Sequence, residues 1–419
     1  MLLINLFLVL LFTELLLHVL IKPSPLSYGR ILGREIPPFK IFDIQQAAKS
    51  LSQKEDEPYQ GKSLLYQNLT NGDIWGLMQE DAIIGYKPRA NAISHNGWWQ
   101  SNRLGARSSK EIEQAKPANG RRFLLFGDSY TQGWGVPQEK TLDFFLNEKS
   151  NQVAFVNFGV IGYSAGQAYL RYKEIKSSLA HDGVVMIFVP TVDLARDINT
   201  IRFLAFGWQS YKPNPRFILS GNKKLTFVPA FYGNLREMLE KNKGGISANL
   251  KEYLYKYDRF YSKLEYENVS VLDHSIIFKI LKKKLAMLAR SQNETEKLID
   301  PSSEAMQVTK KIFQAMREDV LADNKIFILL ILPTQHDLLK YGDKKFKRKW
   351  NNMVNSVCSE TSHCLDLMSR LEDEFTRGNI DASYDGTHYG FQTHRIIADE
   401  FWNFSKKIFL ENNSKNYLV

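Results

Sequence analysis

Between residues 120 and 370 the chain alternates short, wholly apolar runs with longer stretches whose apolar positions recur every three or four residues. The runs at 123–126, 153–158, 184–189 and 326–332 are short for helices and too uniformly apolar for strands with one wet face. They predict strands covered on both sides. A fifth, weaker run lies at 364–367. Helical spacing predicts helices around 142–147, 167–179 and 304–321. Such alternation predicts a doubly wound α/β fold with a parallel sheet. Residues 200–300 break the rhythm with aromatic and basic segments (FLAFGWQSYKPNPRF, EYLYKYDRFYSKLEY) and a helix-like IIFKILKKKLAMLAR. A stretch that long between core strands predicts an insertion.

The N-terminus carries a different pattern. Residues 1–21, MLLINLFLVLLFTELLLHVLI, approach the roughly 20 apolar residues that cross a bilayer. No Lys or Arg precedes the run and the first alanine is Ala47, so an uncleaved transmembrane anchor is expected over a cleaved signal peptide. Glu14 and His18 are costly at mid-bilayer and are expected near an interface or a partner. Residues 22–84, Pro-rich and polar at their start, read as stalk and lead-in, and residues 85–419 as the globular domain. Lys22, Arg30, Arg34 and Lys40 follow the span, which by the positive-inside rule favours a cytoplasmic domain. The cysteines and the chemistry below favour an extracytoplasmic one, periplasmic or at the cell surface.

Composition sharpens the picture only in part. With 44% hydrophobic and 24% charged residues in 419, wholesale disorder is excluded. The net charge of +10 suits an anionic surface or polymer. Zinc-finger spacing, an RNP-like strand and a basic-helix signature are all lacking, so nucleic acid is not expected as a partner. Cys358 and Cys364 are spaced to close a small loop, and an even count in an exported chain favours a disulfide over two thiols. The basic run KYGDKKFKRKW at 340–350 reads as a solvated face or loop, able at most to attract an anionic glycan or headgroup. No His, Cys or Glu cluster has metal-ligand spacing and no Gly-rich phosphate loop occurs, so neither metal nor cofactor is expected.

Two segments carry candidate chemistry. In RRFLLFGDSYTQGWGV an apolar strand ends at Phe126, Gly127 permits a tight turn, and Ser129 follows at the strand's carboxyl edge, where open α/β sheets bind ligands. A serine hydroxyl becomes a useful nucleophile only when a base takes its proton. Near the C-terminus DASYDGTHYG places Asp385 three residues before His388, so the carboxylate can hold one ring nitrogen while the other faces a serine. Taken alone, the first segment also suits a turn serine capping a helix, and the second a solvated turn. His394 competes with His388 but lies in the helical FQTHRIIADEF without an acidic partner at matching spacing. Gly162-Tyr163-Ser164-Ala165-Gly166 fits the G-x-S-x-G nucleophile elbow. The apolar run before it ends four residues too early for a sharp elbow, so Ser164 reads as a helix cap.

These segments resemble the SGNH branch of the GDSL hydrolases in its membrane-anchored bacterial form. The resemblance rests on residues 102–136 (NRLGARSS…RRFLLFGDSYTQGWGV), VNFGVIGYSAGQ at 156–167 and DGTH at 385–388, and covers most of residues 85–410. It implies a flavodoxin-like three-layer fold and ester cleavage through an acyl-enzyme. It also implies roles: Ser129 as nucleophile and oxyanion donor, Gly162 as second backbone donor, His388 as base, and Asp385 as its orienting acid. One departure stands out. FVPTVDLARD keeps Asp193, but Val192 stands where the family has Asn as a third donor. Losing such a donor costs roughly 10²–10³ in turnover unless Thr191 or a residue of the insertion substitutes. The expected function is an esterase removing acyl groups, plausibly O-acetyl, from an extracytoplasmic glycan. The alternatives are an O-acyltransferase, which differs only in the acceptor, and a membrane-tethered glycan-binding or assembly protein.

Overall fold

The computed structural model describes residues 2–22, 27–31, 34–39, 77–94, 96–108, 120–202, 204, 213–242, 246–266, 270–289, 295–359 and 361–410, with side chains of the first helix described from Ile4. The chain divides into two compact units, Met1–Gly72 with Asn199–Asn214 and Ala230–Glu294, and Asp73–Ile198 with Pro215–Pro229 and Thr295–Val419.

The larger unit is built on five strands, β1 (Arg121–Phe126), β2 (Val153–Asn157), β3 (Gly183–Phe188), β4 (Ile326–Ile331) and β5 (Cys364–Asp366). They lie in the order β5-β4-β3-β1-β2, and every pairing is parallel. This is the flavodoxin-like order, whose direction reverses beside the first strand and opens a crevice at the carboxyl ends of β1 and β3. The unit's helices include, in chain order, α1 (Ser129–Gln132), α2 (Leu142–Asn147), α3 (Ala165–Ile175), α4 (Pro190–Asp197), α5 (Glu304–Ala322), α6 (Gln335–Lys340), α7 (Lys344–Cys358), α8 (Met368–Thr376) and α9 (Phe391–Leu410).

Phe123 and Phe126 show why the strands read as continuous apolar runs. Three residues apart on β1, they point to opposite faces. Phe123 meets Phe409 of α9 at 4.2 Å between ring centroids, whereas Phe126 packs against Tyr172 of α3 at 5.6 Å. Both faces are therefore dry, and residues 123–126 are fully buried. The segment 216–228 inside the expected insertion forms an antiparallel hairpin, Arg216–Leu219 with Leu225–Val228, that belongs to this unit.

The smaller unit holds the helix Leu2–Leu20, the hairpin of Ser27–Ile31 with Arg34–Phe39, and helices that include Ala248–Tyr257 and Ile276–Ala289. Asp258 ties its ends together by accepting from the Thr200 amide at 2.7 Å, the Thr200 hydroxyl at 2.8 Å and the Ile201 amide at 3.1 Å. Most of the expected stalk at 22–84 lies outside the described residues.

One expectation is not supported. The apolar N-terminus is helical, but among the described residues no helix is long and apolar enough to cross a membrane. Glu14, expected near an interface or a partner, meets its partners within the smaller unit. Its carboxylate interrupts the apolar run and accepts from Ser275 Oγ and the amides of Ile276 and Ile277, closing the N-terminus of Ile276–Ala289. Of the two readings of the basic run near 340–350, the solvated face holds: most of the run forms the start of α7, with Lys344, Lys345, Lys347 and Arg348 exposed and Phe346, Trp350, Met353 and Val357 buried along the other face. Cys358 and Cys364 form a disulfide, as their spacing suggested.

Gly183 opens β3 between two neighbours, and a Cβ there would lie 2.7 Å from the Ile326 carbonyl and against the Phe123 ring. Gly183→Ala is expected to destabilise the larger unit by about 1–3 kcal/mol, the usual cost of overpacking. Chemical denaturation with an unchanged m-value checks it.

Candidate active site

The turn bearing Ser129 is dictated by local rules. Asp128 leaves the helical range and caps α1, its Oδ1 accepting from the Tyr130 amide at 2.9 Å. Gly133 ends the helix at φ +75°, a left-handed conformation that a residue without Cβ adopts freely. Ser129 is thereby the first residue of a single turn at the end of β1. It is only 1% exposed, and its amide is one of the helix's orphan donors.

The second arm comes from the far end of the chain. Gly386, at φ +72°, closes a turn in which its amide donates to the Ser383 carbonyl, and the Ser383 amide donates to the His388 carbonyl. Asp385 Oδ1 sits inside that turn, accepting from the Ser383 hydroxyl at 2.8 Å and the Thr387 and His388 amides at 2.9 and 3.0 Å. Its other oxygen lies 2.6 Å from His388 Nδ1. Burial works to raise the Asp385 pKa, but the hydrogen bond and charge of His388 and the two amides outweigh it and hold the carboxyl well below the usual range. A proton kept on Nδ1 by this carboxylate leaves Nε2 free to accept, and Nε2 lies 2.8 Å from Ser129 Oγ. Tyr130 fixes the imidazole from beneath, with ring centroids 4.8 Å apart and its hydroxyl donating to the Thr387 carbonyl at 3.2 Å.

A third segment, 157–163, runs beside the Ser129 turn. The Val160 amide donates to the Gly127 carbonyl at 3.1 Å, and a Cβ on Gly159 would come within 2.5 Å of the Gln132 nitrogen. Ile161 is held at both ends. Its amide donates to Gln132 Oε1 at 3.1 Å, and its carbonyl accepts from the Tyr86 hydroxyl at 2.7 Å. Gly162 follows at φ +77°, where a Cβ would lie 2.6 Å from that hydroxyl.

The remaining sequence candidates fall elsewhere. Ser164 caps α3 in a capping box with Gln167. His394 is buried in α9, where desolvation and then Arg107 push its pKa down to about 3, so it has no proton to exchange near neutrality. Val192 and Thr191 both lie in the first turn of α4. Valine has no donor, and the single Thr191 hydroxyl proton is directed at Asp337 Oδ2, 2.8 Å away. Asp193 lies buried beneath, accepting from the Val189 amide at 2.9 Å. Burial first, then the charge of Asp128, raises its pKa well above the usual value.

Three residues of this site escaped sequence reasoning. Buried Arg196 donates to Asp128 Oδ2 at 2.9 Å and to the Tyr163 carbonyl at 3.1 Å, joining the Ser129 turn and the segment 157–163. Tyr86 reaches in from outside both. Arg107 sits at the centre of a cage of carbonyls, and its place in NRLGARSS was its only sequence signal. Among the described residues no group of His, Cys, Asp or Glu could hold a metal ion.

No protein-family model matches this sequence, and no curated protein matches it. Solved structures do. Esterase EstA from Pseudoalteromonas sp. is 11% identical, covering 69% of this chain and 98% of its own, with a TM-score of 0.33. A lipolytic protein of the G-D-S-L family from Desulfitobacterium hafniense is 13% identical over 68% of this chain and 99% of its own, at 0.34. The acetyl xylan esterase AlAXEase is 13% identical over 67% and 98%, at 0.33.

The depressed pKa of His394 makes a signed prediction. The unfolded histidine takes up a proton near pH 6.5 that the folded state refuses until about 3, so acidification across that window favours unfolding. Wild type is expected to lose stability relative to His394→Leu as pH falls from 6.5 towards 4, with the two denaturation midpoints moving in parallel above pH 7.5.

Proposed function

We propose that the protein is a serine hydrolase acting on carboxylic esters. The observation that carries this reading is the unbroken chain Asp385–His388–Ser129, with 2.6 and 2.8 Å steps joining groups 259 residues apart. Ser129 Oγ attacks the ester carbonyl while its proton passes to His388 Nε2. The resulting imidazolium is stabilised by Asp385 and delivers that proton to the departing alcohol. The oxyanion is held by the amides of Ser129 and Gly162. Water, activated by the same imidazole, then attacks the acyl-Ser129 ester, and the acid leaves. A sugar hydroxyl in the water's place makes the reaction an acyl transfer.

The substrate of this reading is an O-acetylated glycan outside the cytoplasm. The Cys358–Cys364 disulfide supports the compartment, because such bonds persist where the surroundings are oxidising. A C-terminal alkaline phosphatase fusion is expected to be active when expressed in a bacterial host. An inactive fusion whose green fluorescent counterpart glows would remove export from the proposal.

The chemistry is tested with a fluorophosphonate probe, which reacts only with a base-activated serine. Wild type is expected to label, Ser129→Ala and His388→Ala to fail, and Ser164→Ala to label while losing about 1 kcal/mol as its helix cap goes. Failure of the folded wild type to label would leave a binding protein in its place.

A further inference from the structure

Trp98 and Tyr384 are large aromatic residues left exposed, at 39% and 65%, with ring centroids 5.9 Å apart and planes at 69°. Exposed aromatic area is the informative exception on a protein surface. Both rings are tied to the two arms of the site. Tyr384 directly precedes Asp385, and it lies over Gly135 of the nucleophile segment, where an added Cβ would be 3.4 Å from its ring. Trp98 sits in a tight turn fixed by Asn96 Oδ1, which accepts from the Trp98 amide at 3.1 Å and the Ser94 hydroxyl at 2.7 Å. The Trp98 carbonyl accepts from Arg107 at 2.9 Å, and the same guanidinium holds the carbonyls of Gln132 and Val136. Trp98 is thus anchored through one side chain to the helix that carries Ser129.

We propose that Trp98 and Tyr384 form a step on which a pyranose ring of the substrate lies, presenting its ester to Ser129. The inference rests on the esterase reading and names the residues that would meet the glycan of that reading. A sugar ring has a flat face of polarised C–H bonds that suits the electron-rich face of an aromatic ring, while its hydroxyls stay in water. An alkyl chain, in contrast, gains most from an enclosed apolar pocket, and these rings are open to solvent. A pair fixed on short turns loses little freedom when a ligand lands on it.

The test compares esters of one acyl group on two alcohols: chemically O-acetylated xylo- and cello-oligosaccharides against triacetin, whose alcohol is acyclic. Wild type is expected to prefer the sugar esters in kcat/KM by at least tenfold. Trp98→Ala and Tyr384→Ala should lower that preference about tenfold or more, mainly through KM, and Trp98→Phe should restore most of it. Equal losses on both alcohols, or an unaltered preference, overturn the proposal. So does a preference that follows acyl length across p-nitrophenyl acetate to octanoate and is lost in these variants. Binding is read independently of turnover by saturation-transfer NMR on Ser129→Ala with unacetylated xylo- and cello-hexaose. Transfer to sugar C–H protons that disappears with Trp98→Ala supports the step, and its absence in the Trp98-containing protein overturns it. Sugar binding without fluorophosphonate labelling of wild type would instead fault the esterase reading alone.

Discussion

A buried guanidinium organises the site. The helix carrying Ser129 is one turn long, too short to satisfy its own carbonyls, which at the end of a helix are left without partners. Arg107 fills that need. Its Nη1 donates to the carbonyls of Gln132, at 2.7 Å, and Gly133; its Nη2 donates to those of Val136 at 2.6 Å and Trp98 at 2.9 Å; and its Nε donates to Gln138 Oε1 at 3.2 Å. Burying a cation costs several kcal/mol unless its donors are matched, and here every arm of the fork is engaged. Burial lowers its pKa to about 10 against the opposing charges of Asp143 and Glu139, so the group remains a cation at neutral pH. A cation at the carbonyl end of a helix is also favoured by the helix dipole. The Arg107 amide donates to the Asn157 carbonyl at 2.8 Å, so β2, the nucleophile turn and the Trp98 turn hold one another in place.

What the sequence made legible follows from how local each determinant is. The parallel sheet was readable because strands buried on both faces leave an uninterrupted apolar run, as at Phe123–Phe126. Ser129 and the Asp385–His388 pair were readable because their spacings are short. Arg107, Tyr86 and Arg196 were not, because each acts on backbone groups distant in the chain and no periodicity marks such a residue. The start of α7 was legible only as a solvated face or a loop. Its lysines dominate the composition, while the apolar positions that make the helix, Phe346, Trp350, Met353 and Val357, are spread over three turns. At the N-terminus the apolar length read as an anchor, and the partner expected for Glu14 is there, the Ile276 amide donating to it at 2.6 Å.

The carboxylates behind the nucleophile divide one cation between them. Arg196 approaches Asp128 at 2.9 Å and Asp193 at 3.7 Å, and all three are buried. Two anions in so dry a space repel, and Asp193 answers with a raised pKa. Asp128 has the nearer share of the arginine and serves as the cap of α1. Through Arg196 the cap is joined to the Tyr163 carbonyl, so the turn bearing Ser129 and the segment bearing Gly162 are set against each other by one side chain.

That coupling bears on the missing asparagine. An oxyanion hole works by donors fixed in direction before charge develops, so the gain depends on orientation as well as number. A trans peptide points its N–H opposite to its C=O. Holding the Ile161 carbonyl with the Tyr86 hydroxyl therefore fixes the direction of the Gly162 amide, and the Ile161 amide on Gln132 Oε1 prevents rotation at the preceding plane. The Ser129 amide is fixed in the same way by the Gln132 amide, which donates to the Asp128 carbonyl at 2.9 Å. On the proposed reading, two rigid backbone donors carry the developing charge. Val192 then removes the third donor while leaving in place the scaffold that makes the other two effective.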